Sequence, residues 1–171
     1  MGGPELKSPV PPGENPWWKQ LARLFLWPDS RVFWLLKFRK LKEVAEGFKP
    51  DLVLAAAPPY TSLIMAYNLG YPYAIDLWDP WLDNFYDMYP TPLHRRLTAF
   101  WERKVFARAK ALFAVNPPTA EAIKRRYPSL RVEVIPHGHD PMPQAPPPSG
   151  ERFVLSYVGS LFGEHKRVEG L

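Results

Sequence analysis

The stretch "AIDLWDPW" at residues 74–81 sets two carboxylates, Asp76 and Asp79, three positions apart among Trp78, Pro80 and Trp81. The six residues that follow, "LDNFYD", add Asp83, Tyr86 and Asp87 with no basic residue among them. Carboxylates accept hydrogen bonds from hydroxyl groups, and one beside a reacting hydroxyl can take its proton. Aromatic rings next to them offer a sugar ring a flat apolar surface. A metal site, a catalytic pair, a carbohydrate platform and a capped loop are all compatible with the segment. In the last of these, Asp79 caps the turn before Pro80 and the tryptophans are core. Asp79 is read as functional, Asp76 stays open between the two, and Asp83 and Asp87 are read as loop surface.

A second cluster, "HGHD" (137–140), offers His137, His139 and Asp140 as metal ligands. Groups this close in sequence rarely converge on one ion without ligands from elsewhere. Gly138 allows the positive φ of a sharp turn. A hinge at His137 and Gly138 is therefore expected, with no metal. His94 and His165 are read as solvated helix positions.

These groups sit in a chain of 171 residues with a net charge of +5, 46% hydrophobic and 23% charged residues and no cysteine. That composition is globular, and it excludes a disulfide scaffold and cysteine-ligated zinc. No segment has the apolar core of a signal peptide at its start or the roughly 20 apolar residues of a spanning helix, so a cytoplasmic chain is expected. Basic residues concentrate between Arg31 and Lys42, five with no acid, and between Arg95 and Arg131, ten against two acids. Such runs attract anionic lipid, phosphate or nucleic acid, but they also describe solvated helix faces. They are scattered and carry no recognised nucleic-acid motif, so nucleic acid is not expected as a partner.

The elements that must position the acids alternate in kind. Residues 1–16 are rich in proline and glycine and read as an irregular lead-in. "WWKQLARLFLW" (17–27) has helical spacing, and a second helix restarts behind Asp29 or Ser30 and stops at Gly47. Its stripe of Phe33, Leu36, Leu41, Val44 and Phe48 runs beside Lys37, Arg39, Lys40 and Lys42. Residues 17–42 therefore either pack on a sheet or lie on an anionic membrane, apolar face down. Short apolar strands are expected at 51–57, 72–76, 111–115 and 131–135. Between them lie helices at 60–70, 93–110 and from Pro117, whose proline suits a helix start. That alternation predicts βαβ units and a parallel sheet with helices on both faces. Asp76 and Asp79 fall at the carboxyl end of the second strand, where open parallel sheets bind ligands. Residues 136–150, with six prolines and two glycines, read as a stiff linker, and 151–171 as the start of another domain.

Six segments in order resemble the family 4 glycosyltransferases of the two-domain GT-B fold, most closely the bacterial type that builds cell-surface polysaccharides or lipid-linked glycans. They are "LWPDSRVFW", "KPDLVLAAAPPYTSLIMA", "AIDLWDPW", "FWERKVFARAKALFAVNPPTAEAI", "VEVIPHGHD" and "FVLSYVGSLFG", covering about residues 24–171. The resemblance implies a partial Rossmann-like acceptor domain over 17–135, a linker over 136–150, and the first strand and helix of a donor domain over 151–171. It implies retaining transfer from a nucleotide sugar to a glycan or lipid-linked acceptor without a cofactor, at the inner face of the membrane. Asp76 and Asp79 would serve catalysis, and Trp78, Trp81 and Tyr86 would bind the acceptor. Gly159 and Lys166 would contact the donor diphosphate, and His137 with Gly138 would form the crossing between domains. Two departures stand out: His137 replaces the usual asparagine, and Ser160 stands where an arginine is common. Residues 1–23 lack the family's glycine-rich first βα unit, and its donor-domain glutamate pair has no counterpart here. A chain truncated at both ends and inactive alone is expected, with a non-catalytic interaction module as the alternative, ahead of a basic nucleic-acid-binding domain.

Overall fold

Four short apolar runs become the four strands of a parallel sheet in the computed structural model, which describes residues 24–84, 89–138 and 140–141. The strands are β1 (Val53–Ala57), β2 (Tyr73–Leu77), β3 (Ala111–Ala114) and β4 (Val132–Val134), in spatial order β1-β2-β3-β4. Their crossovers are α2 (Thr61–Leu69), α3 (Pro92–Arg108) and α4 (Pro117–Arg126), while α1 (Phe38–Phe48) precedes the sheet. This is the Rossmann-like α/β architecture expected from the alternation of runs.

Strand neighbours that follow chain order put every right-handed crossover on the same side of the sheet. The burial pattern agrees. Ala55, Ala57, Ile75, Leu77, Leu112 and Ala114 are buried in one cluster with α2, α3 and α4. The opposite face carries the register row Ala56, Asp76, Phe113 and Glu133, none of it in that cluster. Among the described residues, then, the crossover helices share one face rather than covering both. Asp76 consequently points away from the core and keeps contact with solvent.

Helix ends follow local chemistry in most places. Asn116 accepts a hydrogen bond from the Thr119 amide at 2.9 Å ahead of Pro117, and Gly70 closes α2 at φ 82°. The second helical segment differs from expectation at both ends. It begins as a 3-10 turn over Val32–Lys37, and α1 runs through Gly47 to end at Lys49, which takes the left-handed conformation at φ 53°. A side chain there costs about 1–2 kcal/mol that glycine escapes. Lys49 is exposed, so Lys49→Gly is expected to raise the unfolding free energy by about 1 kcal/mol in urea titration.

Helix α2 has Tyr60 at its N-cap, which supplies no side-chain cap. Asp29 does so from 32 residues away, accepting from the Thr61 amide at 2.8 Å and the Thr61 hydroxyl at 3.0 Å. The same carboxylate accepts from the Arg31 amide at 2.7 Å. One side chain thus closes its own turn and the start of a buried helix, worth about 1–2 kcal/mol. His94 is also more than a solvated position, since its ring nitrogens meet Thr91 Oγ1 at 2.7 Å and the Leu24 carbonyl at 3.1 Å. Tyr73 sits at the centre of the core and donates to the Val105 carbonyl. Burial pushes its phenol up to about 12, with Arg108 opposing.

Candidate functional site

The carboxyl edge of the sheet is built by continuing the ladder past the strands. The Trp78 amide donates to the Ala57 carbonyl at 2.8 Å, and the Ile135 amide to the Ala114 carbonyl at 2.9 Å. Side chains alternate along β2, so Trp78 would share a face with Asp76, two residues earlier. The indole Nε1 of Trp78 donates to Asp76 Oδ2 at 2.9 Å, which fixes the ring over the strand end. Across β3, the His137 ring meets the Trp78 ring edge-on, with centroids 5.4 Å apart at 87°. Three residues from two distant motifs, Asp76, Trp78 and His137, therefore converge. Trp78 remains 46% exposed and presents a ring surface to solvent.

The neighbouring loop is held rigidly from below. Trp81 is 2% exposed and stacks on Tyr60 with centroids 5.4 Å apart and planes 3° from parallel. The Tyr60 hydroxyl donates to the Pro80 carbonyl at 2.9 Å and accepts from Asn84 Nδ2 at 2.9 Å. Trp81 thus anchors the loop, and Tyr60 occupies the ring face that a sugar would need. Between these anchors Asp79 is half-buried, and its carboxylate has no hydrogen-bond partner among the described residues. A carboxylate held on a fixed loop with its oxygens uncommitted can accept from a ligand hydroxyl.

Glu102 is the acid that sequence reasoning missed. It lies on the buried face of α3, 1% exposed, and its two oxygens tie three elements together. Oε2 accepts from the Leu82 amide at 2.8 Å. Oε1 accepts from Arg126 Nη1 and from the Tyr127 hydroxyl, each at 2.8 Å. Arg126 also pairs with Asp83, which lies on the exposed loop surface as expected and joins the network from there. Burial and the adjacent Glu102 both push the Tyr127 phenol well above its ordinary range, which keeps it a neutral donor. The signal was present in "FWERKVF", where Glu102 stands at i, i+3 and i+4 with Val105 and Phe106, a charge on an apolar stripe.

Of the other sequence-derived candidates, Gly138 follows His137 with open space where a Cβ would stand, and it does not take the positive φ expected of a sharp turn. Tyr86, Asp87, Gly159 and Lys166 lie outside the described residues, as do residues 17–23 of the first helical segment. Among the described residues, no three His, Asp or Glu side chains come together as a metal cage. No helix of the described residues is long and apolar enough to cross a membrane.

A parallel Rossmann-like sheet with acids and an exposed indole at its carboxyl edge defines a ligand-binding α/β domain. The model of Glycosyltransferase Family 4 matches residues 4–142, which is most of the chain, and the protein belongs to that family. The match takes in residues 4–23, which the motif resemblance left aside, and stops before "YVGSLFGEHK". No curated protein matches the chain at a significant level. Membership carries glycosyl transfer as the general role, with a sugar donor and an acceptor as ligands.

Proposed function

We propose that the described unit is the acceptor-side half of a GT-B transferase of the bacterial cell-surface type. It would act from the cytoplasmic side, at the inner face of the membrane. In this proposal a sugar passes, with retention, from a nucleotide sugar to a hydroxyl of a glycan or lipid-linked acceptor. The observation that carries it is the convergence of Asp76, Trp78 and His137 beside the uncommitted Asp79 carboxylate. The exposed Trp78 ring would take the apolar face of the acceptor sugar, with Asp76 holding the indole in place. Asp79 would accept the hydrogen bond of the reacting hydroxyl and favour loss of its proton as the new bond forms. Donor diphosphate contacts fall to Gly159 and Lys166, where glycine permits close backbone approach and lysine supplies a cation. No cofactor enters the scheme.

The test is transfer by the chain mixed with a separately supplied donor domain, from a panel of uridine and guanosine diphosphate sugars to free and lipid-linked glycans, with the anomeric configuration of the product read by NMR. A product retaining the donor configuration supports the proposal. An inverted product removes the retaining step, and transfer that is insensitive to Trp78→Ala removes the acceptor platform.

A further inference from the structure

The loop that carries Asp79 is held from two sides by different chemistry. On one side Tyr60 stacks on Trp81 and donates to the Pro80 carbonyl. The Tyr89 hydroxyl adds to this hold, 2.9 Å from the Trp81 carbonyl and 3.0 Å from the Leu82 carbonyl. On the other side the loop does not close on α4. A cavity of about 30 Å³ lies between Pro80 and Trp81 of the loop and Thr119 and Ile123 of that helix. Apolar packing is interrupted there, and the groups that cross the gap are polar. Glu102 takes the Leu82 amide, and Arg126 reaches from Glu102 to Asp83. Leu82 and Asp83 follow Asp79 by three and four residues, so the bridge acts on the short segment behind that carboxylate.

We propose that Glu102 and Arg126 are positioning residues for glycosyl transfer, setting the height of the 80–83 loop and so aiming the Asp79 carboxylate at the acceptor hydroxyl. The proposal rests on the reading of Asp79 as the group that accepts from that hydroxyl. Glu102 is 1% exposed and acts through the loop rather than on the sugar. A buried ion pair adds little net stability, because desolvation offsets most of its attraction, but its directional bonds fix geometry. Fixed geometry is what a proton acceptor needs. A displacement of about 1 Å at a reacting centre costs on the order of a hundredfold in rate.

The full chain, with the donor half supplied, is assayed for transfer as Glu102→Gln and as Asp83→Ala. The first sets an NH₂ group against the donors that meet at Glu102. The second removes the loop end of the bridge at an exposed residue, where folding is little affected. Each should lose about tenfold or more in kcat, with the acceptor KM within about threefold of wild type. Val132→Ala controls for stability. Val132 is 3% exposed at the amino end of β4, away from the carboxyl edge. Its truncation should lower the urea midpoint as Glu102→Gln does, yet keep kcat within about twofold. In an Asp79→Asn background, Glu102→Gln should cost less than about twofold more, because the group it aims no longer takes the proton. Hydrogen exchange on the chain alone reads the loop without turnover. In both network variants the amides of 81–84 should exchange about tenfold faster relative to those of β2. Wild-type kcat in both network variants, with Asp79→Asn impaired, overturns the positioning role and leaves the reading of Asp79 standing. Wild-type kcat in Asp79→Asn removes that reading and the positioning role with it. Full additivity of Glu102→Gln with Asp79→Asn, an equal fall of kcat in Val132→Ala, or loop exchange that tracks β2 also overturns the proposal.

Discussion

Replacing Glu102 with alanine is expected to lower the unfolding free energy by about 2–4 kcal/mol, less than the full cost of breaking a buried ion pair because the Arg126 side chain is 34% exposed and keeps Asp83. The loss has identifiable parts. Arg126 keeps only Asp83, the Leu82 amide loses its acceptor, and the Tyr127 hydroxyl loses its carboxylate. Each half-buried donor left without its acceptor costs up to about 1–3 kcal/mol, and the loss of the charge beneath Arg126 adds to that. Glu102→Gln separates charge from hydrogen bonding. Its carbonyl can still accept from the Leu82 amide, but its NH₂ group faces the donors of Arg126 and Tyr127. A loss of about 1–3 kcal/mol is expected for it. Urea titration with the m-value held constant measures both. A Glu102→Ala protein within 1 kcal/mol of wild type would mean that the network contributes little and that the loop is fixed by the Tyr60–Trp81 stack and the hydroxyls of Tyr60 and Tyr89. Because domains of this size are stable by only about 5–15 kcal/mol, the expected loss would bring the protein close to unfolding.

With the donor half supplied, Asp79→Asn is expected to lower turnover about 100- to 1,000-fold while leaving stability within about 0.5 kcal/mol of wild type. The separation arises because the Asp79 carboxylate has no hydrogen-bond partner among the described residues, so the fold loses nothing when its charge is removed. An amide oxygen can still accept from an acceptor hydroxyl but is too weakly basic to favour proton loss. The defect should therefore appear in kcat, with the KM for the donor nearly unchanged. Asp76→Asn is the informative comparison. Its amide oxygen can continue to accept from Trp78 Nε1, so a role limited to holding the indole predicts less than a tenfold change. Steady-state transfer with a lipid-linked or free glycan acceptor decides between the two acids. Turnover within twofold of wild type in Asp79→Asn would remove the proton-accepting role from this residue.

The alternation of short apolar runs with capped amphipathic segments was enough to establish four strands, their helices and a parallel sheet. Strand and helix preferences are carried within a few residues, and parallel strands need crossovers of that length. Gly70 at the end of α2 and Pro117 at the start of α4 acted through their own backbone torsions, so they too were legible locally. The candidate edge was legible for the same reason, since Asp76 and Asp79 simply follow an apolar run.

What each acid does there depended on partners far away in the chain. Asp29 caps a helix 32 residues later, Glu102 gathers Leu82, Arg126 and Tyr127, and Trp81 spends its ring on Tyr60. His137 and Trp78 come from separate motifs and meet only because β2 and β4 flank β3. No local pattern encodes such pairings, because their energy depends on which surfaces the sheet brings within about 3 Å for hydrogen bonds and about 5 Å for rings. The same limit explains the stripe of α1. Its spacing marked an apolar face, but whether that face packs on the sheet or stays open was decided only when α2 took the place beside β1.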